Sequence, residues 1–137
     1  MPQEYQLASQ VYDKILARAQ AELNLATRNQ AYTTVQSVLT VFRRRLSPAQ
    51  VLQFADALPA LMRAIFVADW RESEFTENFG SRENLTIEVK SHRLNHNFSP
   101  DNAISGVVIA IRAHMEESRL DELLASFPEE AKSFWSV

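Results

Sequence analysis

Cysteine is absent from this chain of 137 residues, glycine occurs only twice, and no apolar run is long. Without cysteine there can be no disulfide framework, thiolate nucleophile or cysteine-ligated metal. Two glycines cannot build a phosphate-binding loop or the tight turn that carries a serine nucleophile. No run approaches the ~18 apolar residues that cross a bilayer, and the polar N-terminus does not resemble a signal peptide. We therefore predict a cytoplasmic protein with no membrane partner and no cofactor.

The charge balance is slightly acidic, with 14 Lys and Arg against 17 Asp and Glu. Binding to nucleic acid depends on Lys and Arg that neutralise phosphates, so this balance argues against a nucleic-acid partner. The scarcity of glycine, the five prolines and the abundance of good helix formers favour helices over a barrel or a sandwich. A chain of this length fits one domain, and we predict a single helical domain over residues 1–137.

An apolar pattern with helical spacing occurs twice, 69 positions apart, and it is the most informative feature present. The register continues beyond the first stripe, because Pro59 aligns with Pro128 and Arg43 aligns with Arg112. Such a pattern predicts an all-α fold of seven or eight helices, arranged as two pseudo-repeated halves packed around one core. The first stripe is Val35, Val38, Leu39, Phe42 and Leu46, and the second is Ile104, Val107, Val108, Ile111 and Met115.

Capping signals divide the halves, about 5–70 and 83–137, into helices on either side of a connector over 71–82. Thr27 with Gln30 and Ser47 with Gln50 are capping boxes, and Gly80 is expected to cap a short helical turn. The segment LTIEVKS alternates like a strand, but no strand partner is evident, so we predict a helix there. The predicted helices cover about 5–23, 27–46, 48–57, 59–70 and 84–94, then 99–115, one opening at Ser118 and one opening at Pro128.

The string AYTTVQSVLTVFRRRLSPAQVLQFADALPALMRAIFVADW resembles a bacterial family, Domain of Unknown Function 2267. The resemblance covers most of the chain from about residue 10, and it implies an all-helical fold of two repeats with no assigned activity. The residues that carry it are Ala31, Val38, Leu39, Phe42, Arg45, Leu46, Leu58, Pro59, Met62, Arg63 and Trp70. A degraded second copy is carried by Val107, Val108, Ile111, His114, Met115, Phe127, Pro128, Lys132 and Trp135.

The three histidines are the only candidates for metal chemistry. His92 and His96 have the four-residue spacing that places two ligands on one helix face, and His114 is a possible third ligand. The sequence around His96 indicates a loop, however, which would separate the first two. The main prediction is therefore a non-enzymatic interaction or regulatory module. The alternative is a small-ligand-binding or metal-binding protein, or an enzyme that uses these histidines with acidic residues.

Two groups of residues could form a surface for an unknown protein partner or for self-association. Trp70, Phe75 and Phe79 are aromatic residues in or beside the charged connector, and exposed aromatics commonly anchor partners. They could instead fold back and cap the core. Arg43, Arg44 and Arg45 form the only basic run. It could contact a phosphate or an acidic partner, or remain a solvated helix end that offsets the helix dipole.

Overall fold

The computed structural model describes residues 3–74, 76–92 and 99–136, and every regular element in those ranges is an α-helix. The predicted all-α class is confirmed there, and the segment with strand-like alternation is helical. None of the helices in these ranges combines the length and the apolar character needed to span a membrane. The eight helices are α1 (Gln3–Glu22), α2 (Arg28–Arg43), α3 (Pro48–Ala57), α4 (Ala60–Val67), α5 (Arg82–Ser91), α6 (Ala103–Arg112), α7 (Glu117–Ala125) and α8 (Glu129–Phe134).

Both predicted capping boxes are present. The hydroxyl of Thr27 accepts from the backbone N–H of Gln30 at 3.1 Å, and the Gln30 side chain accepts from the backbone of Thr27. Ser47 and Gln50 make the same reciprocal pair, with Pro48 in the first turn of α3. Each cap stabilises its helix by about 1 kcal/mol. These starts depend only on residues three positions apart, and for that reason the sequence predicts them well.

Four helices, α2, α4, α5 and α6, end about three residues earlier than predicted, at residues 43, 67, 91 and 112 rather than near 46, 70, 94 and 115. Helix α2 ends at Arg43 rather than near Leu46, because the chain tightens into a turn in which the amide of Leu46 donates to the Arg43 carbonyl. Helix α4 ends at Val67 rather than near Trp70, because Ala68 leaves the helix with a ψ of 128° and Asp69 follows with a left-handed φ of 60°. A residue in that conformation cannot continue a right-handed helix.

Two starts in the second half were predicted at the wrong serine. Helix α6 begins at Ala103, and the hydroxyl of Ser99 instead donates to the hydroxyl of Thr34 in α2 at 3.1 Å. Helix α7 begins at Glu117, and the Ser118 hydroxyl donates to a carboxylate oxygen of Glu116. The partner of Ser99, Thr34, is 65 residues away in the chain, so local sequence could not indicate it.

The two glycines have different structural roles. Gly80 has a φ of 69°, but it precedes Ser81, the N-cap of α5, and does not end a helical turn as predicted. Gly106 lies where α6 meets the end of α1, and a Cβ added there would overlap the side chain of Leu23. The missing side chain of Gly106 therefore allows the two helices to approach closely.

Helix α2 is the centre of the fold and contacts α1, α4, α5 and α6. It is buried around most of its circumference, including polar positions such as Thr34 and Ser37. Their hydroxyls donate to backbone carbonyls one turn earlier, at Gln30 and Thr33, both at 2.9 Å. These bonds satisfy the hydroxyl donors, so a helix with polar residues on every side can be buried.

Seven aromatic rings fill the region where the two halves of the chain meet. The ring of Phe42 is 4.8 Å from that of Phe134, 4.9 Å from that of Phe54 and 5.7 Å from that of Trp135, measured between centroids. Residues from both halves therefore share one apolar cluster. The single-domain organisation itself stays a prediction. The seven rings belong to Phe42, Phe54, Phe66, Phe79, Phe127, Phe134 and Trp135.

The limits of corresponding helices fall 69 positions apart at four places. Helices α1 and α5 end at residues 22 and 91, α2 and α6 end at 43 and 112, α3 and α7 begin at 48 and 117, and α4 and α8 begin at 60 and 129. A hydrogen bond shows the same offset, because Arg43 donates to the carbonyl of Phe66 and Arg112 donates to that of Trp135. The pseudo-repeat stays a prediction, with these spacings as its basis.

Candidate functional site

Arg43, the last residue of α2, is enclosed by the fold. Its side chain is only 5% exposed, and its Nη1 donates to the carbonyls of Phe66 and Ala68 at 3.1 and 3.0 Å. Its Nε and Nη2 donate to the two carboxylate oxygens of Glu74 in the connector. The expectation of a solvated helix end is therefore wrong for Arg43. Its guanidinium holds two segments, the end of α4 and the connector, against α2. With 5% of the side chain exposed, almost none of its surface is open to a partner.

Arg45 and Arg44 bind α5. Arg45 donates from Nη1 and Nη2 to both carboxylate oxygens of Glu88, at 2.6 and 2.8 Å, while its side chain is 8% exposed. Arg44 is more exposed and lies 3.4 Å from Glu88. The hydrogen bond from Arg45 lowers the pKa of Glu88, more than its partial burial raises it. The second and third arginines thus hold α5 against the end of α2 through one carboxylate.

The aromatic residues predicted for the partner surface also differ in how far they are exposed. Phe79 is 6% exposed and packs on Phe42, so it caps the core and does not face a partner, as the alternative interpretation allowed. Trp70 is half-buried against the core, and Phe75 lies outside the described residues. Arg43 and Phe79 are therefore inside the molecule and cannot be part of an exposed partner surface, and a surface formed by the other predicted residues stays a prediction.

The described residues give no support to the alternative in which the histidines form a metal or ligand site. His92 is the C-cap of α5, His114 lies in the turn after α6, and both are partly buried. His96 lies outside the described residues. Within the ranges that the structure describes, no group of three or more His, Cys, Asp or Glu side chains is placed to hold a metal ion.

A groove of about 380 Å³ lies between α5 and the start of α6. Ile104 of α6 is almost fully buried beneath it, and Ile87 and Thr86 of α5 contribute to its wall. Oppositely charged residues, Glu83 and Lys90, are on the α5 side. The groove thus has an apolar middle and charged ends. Neither described histidine lines it.

Ile87 is the most unusual residue of this groove, because a large aliphatic side chain there is 64% exposed. Its neighbours Leu85 and Val89 are buried in the core. Two positions along a helix correspond to a rotation of about 200°, so a residue midway between two buried ones points away from the core. The alternation that suggested a strand was therefore the signal of an exposed apolar residue on a helix, which sequence reasoning missed.

Charged residues lie at both ends of the groove. At one end, Arg82 donates to the carbonyls of Ser133 and Phe134 in α8 and to the hydroxyl of Ser105. Partial burial lowers the pKa of Arg82, and no carboxylate in the described part of the chain pairs with it. At the other end, Lys90 and Asp101 form an exposed ion pair at 2.6 Å. The hydrogen bond from Lys90 lowers the pKa of Asp101.

The described part of the chain is therefore an all-helical fold with a groove in which an exposed apolar side chain lies between charged groups. A family model described as "Uncharacterized conserved protein (DUF2267)" matches residues 12–134. The chain therefore belongs to the Domain of Unknown Function 2267 family, and the resemblance found in the sequence is confirmed. A comparison with curated proteins finds no match.

Proposed function

We propose that this protein is a non-enzymatic binding module that contacts a protein partner through the groove between α5 and α6. The observation that carries the proposal is Ile87, which is 64% exposed directly beside an apolar groove. Burial of this side chain and of the groove beside it against a partner would remove apolar area from water. The charged residues around it would supply orientation and specificity.

The internal role of the arginine run supports this location. The guanidinium groups of Arg43 and Arg45 bind Glu74 and Glu88 within the molecule, so they are not available as a basic patch. The contact between Arg45 and Glu88 holds α5, with Ile87 on its outer face, against the end of the central helix α2. A binding surface on a helix held in this way is already ordered, which lowers the entropy cost of association.

A small ligand in the same groove is the second candidate. The volume of about 380 Å³ lies near the lower limit of small-molecule sites, which run from roughly 300 to 1,000 Å³. An exposed isoleucine on the wall favours a protein, because a small ligand in the groove would leave much of that side chain in water.

We also propose that residues 1–137 form one folding unit made of two related halves. The shared aromatic cluster supports the single unit, since Phe42 of the first half packs on Phe134 and Trp135 of the second. The helix limits 69 positions apart support the relation between halves. A half alone would leave its apolar face uncovered.

Site-specific photo-crosslinking in the native host tests the binding function. A photo-reactive residue replaces Ile87 in one version of the full-length protein, and Leu52 in the control. Leu52 is 61% exposed on α3 and does not line the groove. We expect a crosslinked protein, identified by mass spectrometry, from position 87 and not from position 52. Equal labelling at both positions, or no protein product at position 87, would contradict the proposal.

A further inference from the structure

We infer that the partner in this groove is a second copy of the chain, paired antiparallel along α5 about a two-fold axis between Thr86 and Ile87. The inference rests on the proposed binding function and names the molecule that occupies the groove. It starts from the symmetry of the exposed face of α5. A two-fold interface requires a surface patch that is complementary to itself.

The charges of this face meet that requirement. Glu83 and Lys90 lie at equal distances along the sequence from the midpoint between Thr86 and Ile87, and all four residues line the groove. Positions seven apart occupy nearly the same side of a helix. Antiparallel pairing about that midpoint sets Glu83 of each copy opposite Lys90 of the other, which creates two intermolecular ion pairs. A parallel arrangement would set like charges opposite each other.

The apolar residues occupy the middle of the same face. Each copy presents its exposed Ile87 towards the groove of the other, above the buried Ile104. The ion pair between Lys90 and Asp101 does not prevent Lys90 from also pairing with Glu83 of the second copy, because Lys90 is about half exposed and its ammonium has three donors. Lys90 can therefore bind Asp101 and a carboxylate of the second copy together.

The dimensions of α5 limit the strength of the dimer. A helix of 10 residues is about 15 Å long, so an interface based on it is at the small end of specific interfaces. We therefore expect a reversible dimer with a dissociation constant in roughly the micromolar range.

Analytical ultracentrifugation of the full chain over a range of concentrations is the test. Glu83→Lys and Lys90→Glu should each raise the dimer dissociation constant about tenfold or more, because each places like charges opposite each other at two points. The decisive measurement is an equimolar mixture of these two variants. In a mixed dimer every contact joins Lys to Glu, so association should return. It should also return in the double variant that carries both changes.

Two further variants separate this surface from a general effect. Ile87→Asp should abolish association, and Leu52→Asp, at another exposed apolar position, should leave it unchanged. All substituted side chains are exposed, and unchanged helical circular dichroism would show that the fold is retained.

Three results would overturn the inference: a parent protein that is monomeric at every concentration, a dimer insensitive to the charge reversals, or a mixture that stays monomeric. The photo-crosslinking at position 87 distinguishes failure of the dimer inference from failure of the proposed binding function. A product with a different protein, alongside a monomeric parent, would leave the binding function intact while the second copy is rejected.

Discussion

Replacing Phe42 by alanine tests the packing of the whole core with one change. Phe42 is fully buried, and its ring contacts five other aromatic rings, from α3, α4, α8 and the connector. Truncation of a buried phenylalanine costs about 3–5 kcal/mol. Favourable aromatic pairs contribute about 0.5–1.5 kcal/mol beyond the buried area. With so many pairs lost, we expect a cost near 4–5 kcal/mol, a large part of the stability of a small domain.

Urea unfolding followed by circular dichroism measures this cost. The midpoint should fall while the slope of free energy against urea stays the same, which shows that stability has changed rather than the extent of unfolding. Leu52→Ala is the matched control, because Leu52 is exposed on α3 and its truncation should change stability by no more than about 0.5 kcal/mol. A cost below about 1.5 kcal/mol for Phe42→Ala would refute the described packing of the rings.

Four further outcomes are expected. Ile111→Ala, at the corresponding buried position of the second half, should cost about 2–5 kcal/mol in the same assay, and a parental midpoint would contradict the register. Arg43→Lys should cost about 1–3 kcal/mol, because one ammonium cannot reach both carbonyls and the Glu74 carboxylate that the guanidinium binds. Glu88 has a lowered pKa in the folded state, so its contribution is present above the unfolded value near 4.5 and is lost as the pH falls through the folded value. Glu88→Gln should therefore be less stable at neutral pH and lose less stability on acidification, whereas acid unfolding parallel to that of the parent would contradict this role. A chain ending at Ser81 should be unfolded or self-associated, and a monomer that unfolds cooperatively would show two domains instead.

The residues of the proposed site show where reasoning from the sequence stops. Ile87 was visible in LTIEVKS, but its exposure follows only once that segment is known to be a helix with Leu85 and Val89 facing the core. The groove also needs Ile104, which α6 places beside α5 from 17 residues further along the chain. Sequence spacing alone does not determine how two helices are placed side by side.

The sequence by itself determined the features that depend on neighbours within one or two helical turns. These include the all-α class, the capping boxes at Thr27 and Ser47, and the burial of the apolar stripe that contains Phe42. Periodicity and capping act between residues a few positions apart, so they can be identified before the chain is folded.

The tertiary structure alone decided which polar groups remain in water. Arg43 and Arg45 have the sequence of a charged helix end, yet they bind partners 23 to 43 residues away, the carbonyl of Phe66 and the carboxylate of Glu88. Ser99 likewise donates to Thr34 and does not cap α6. Burying a polar group without a hydrogen-bonding partner costs free energy, and packing of distant segments determines which partner lies within reach.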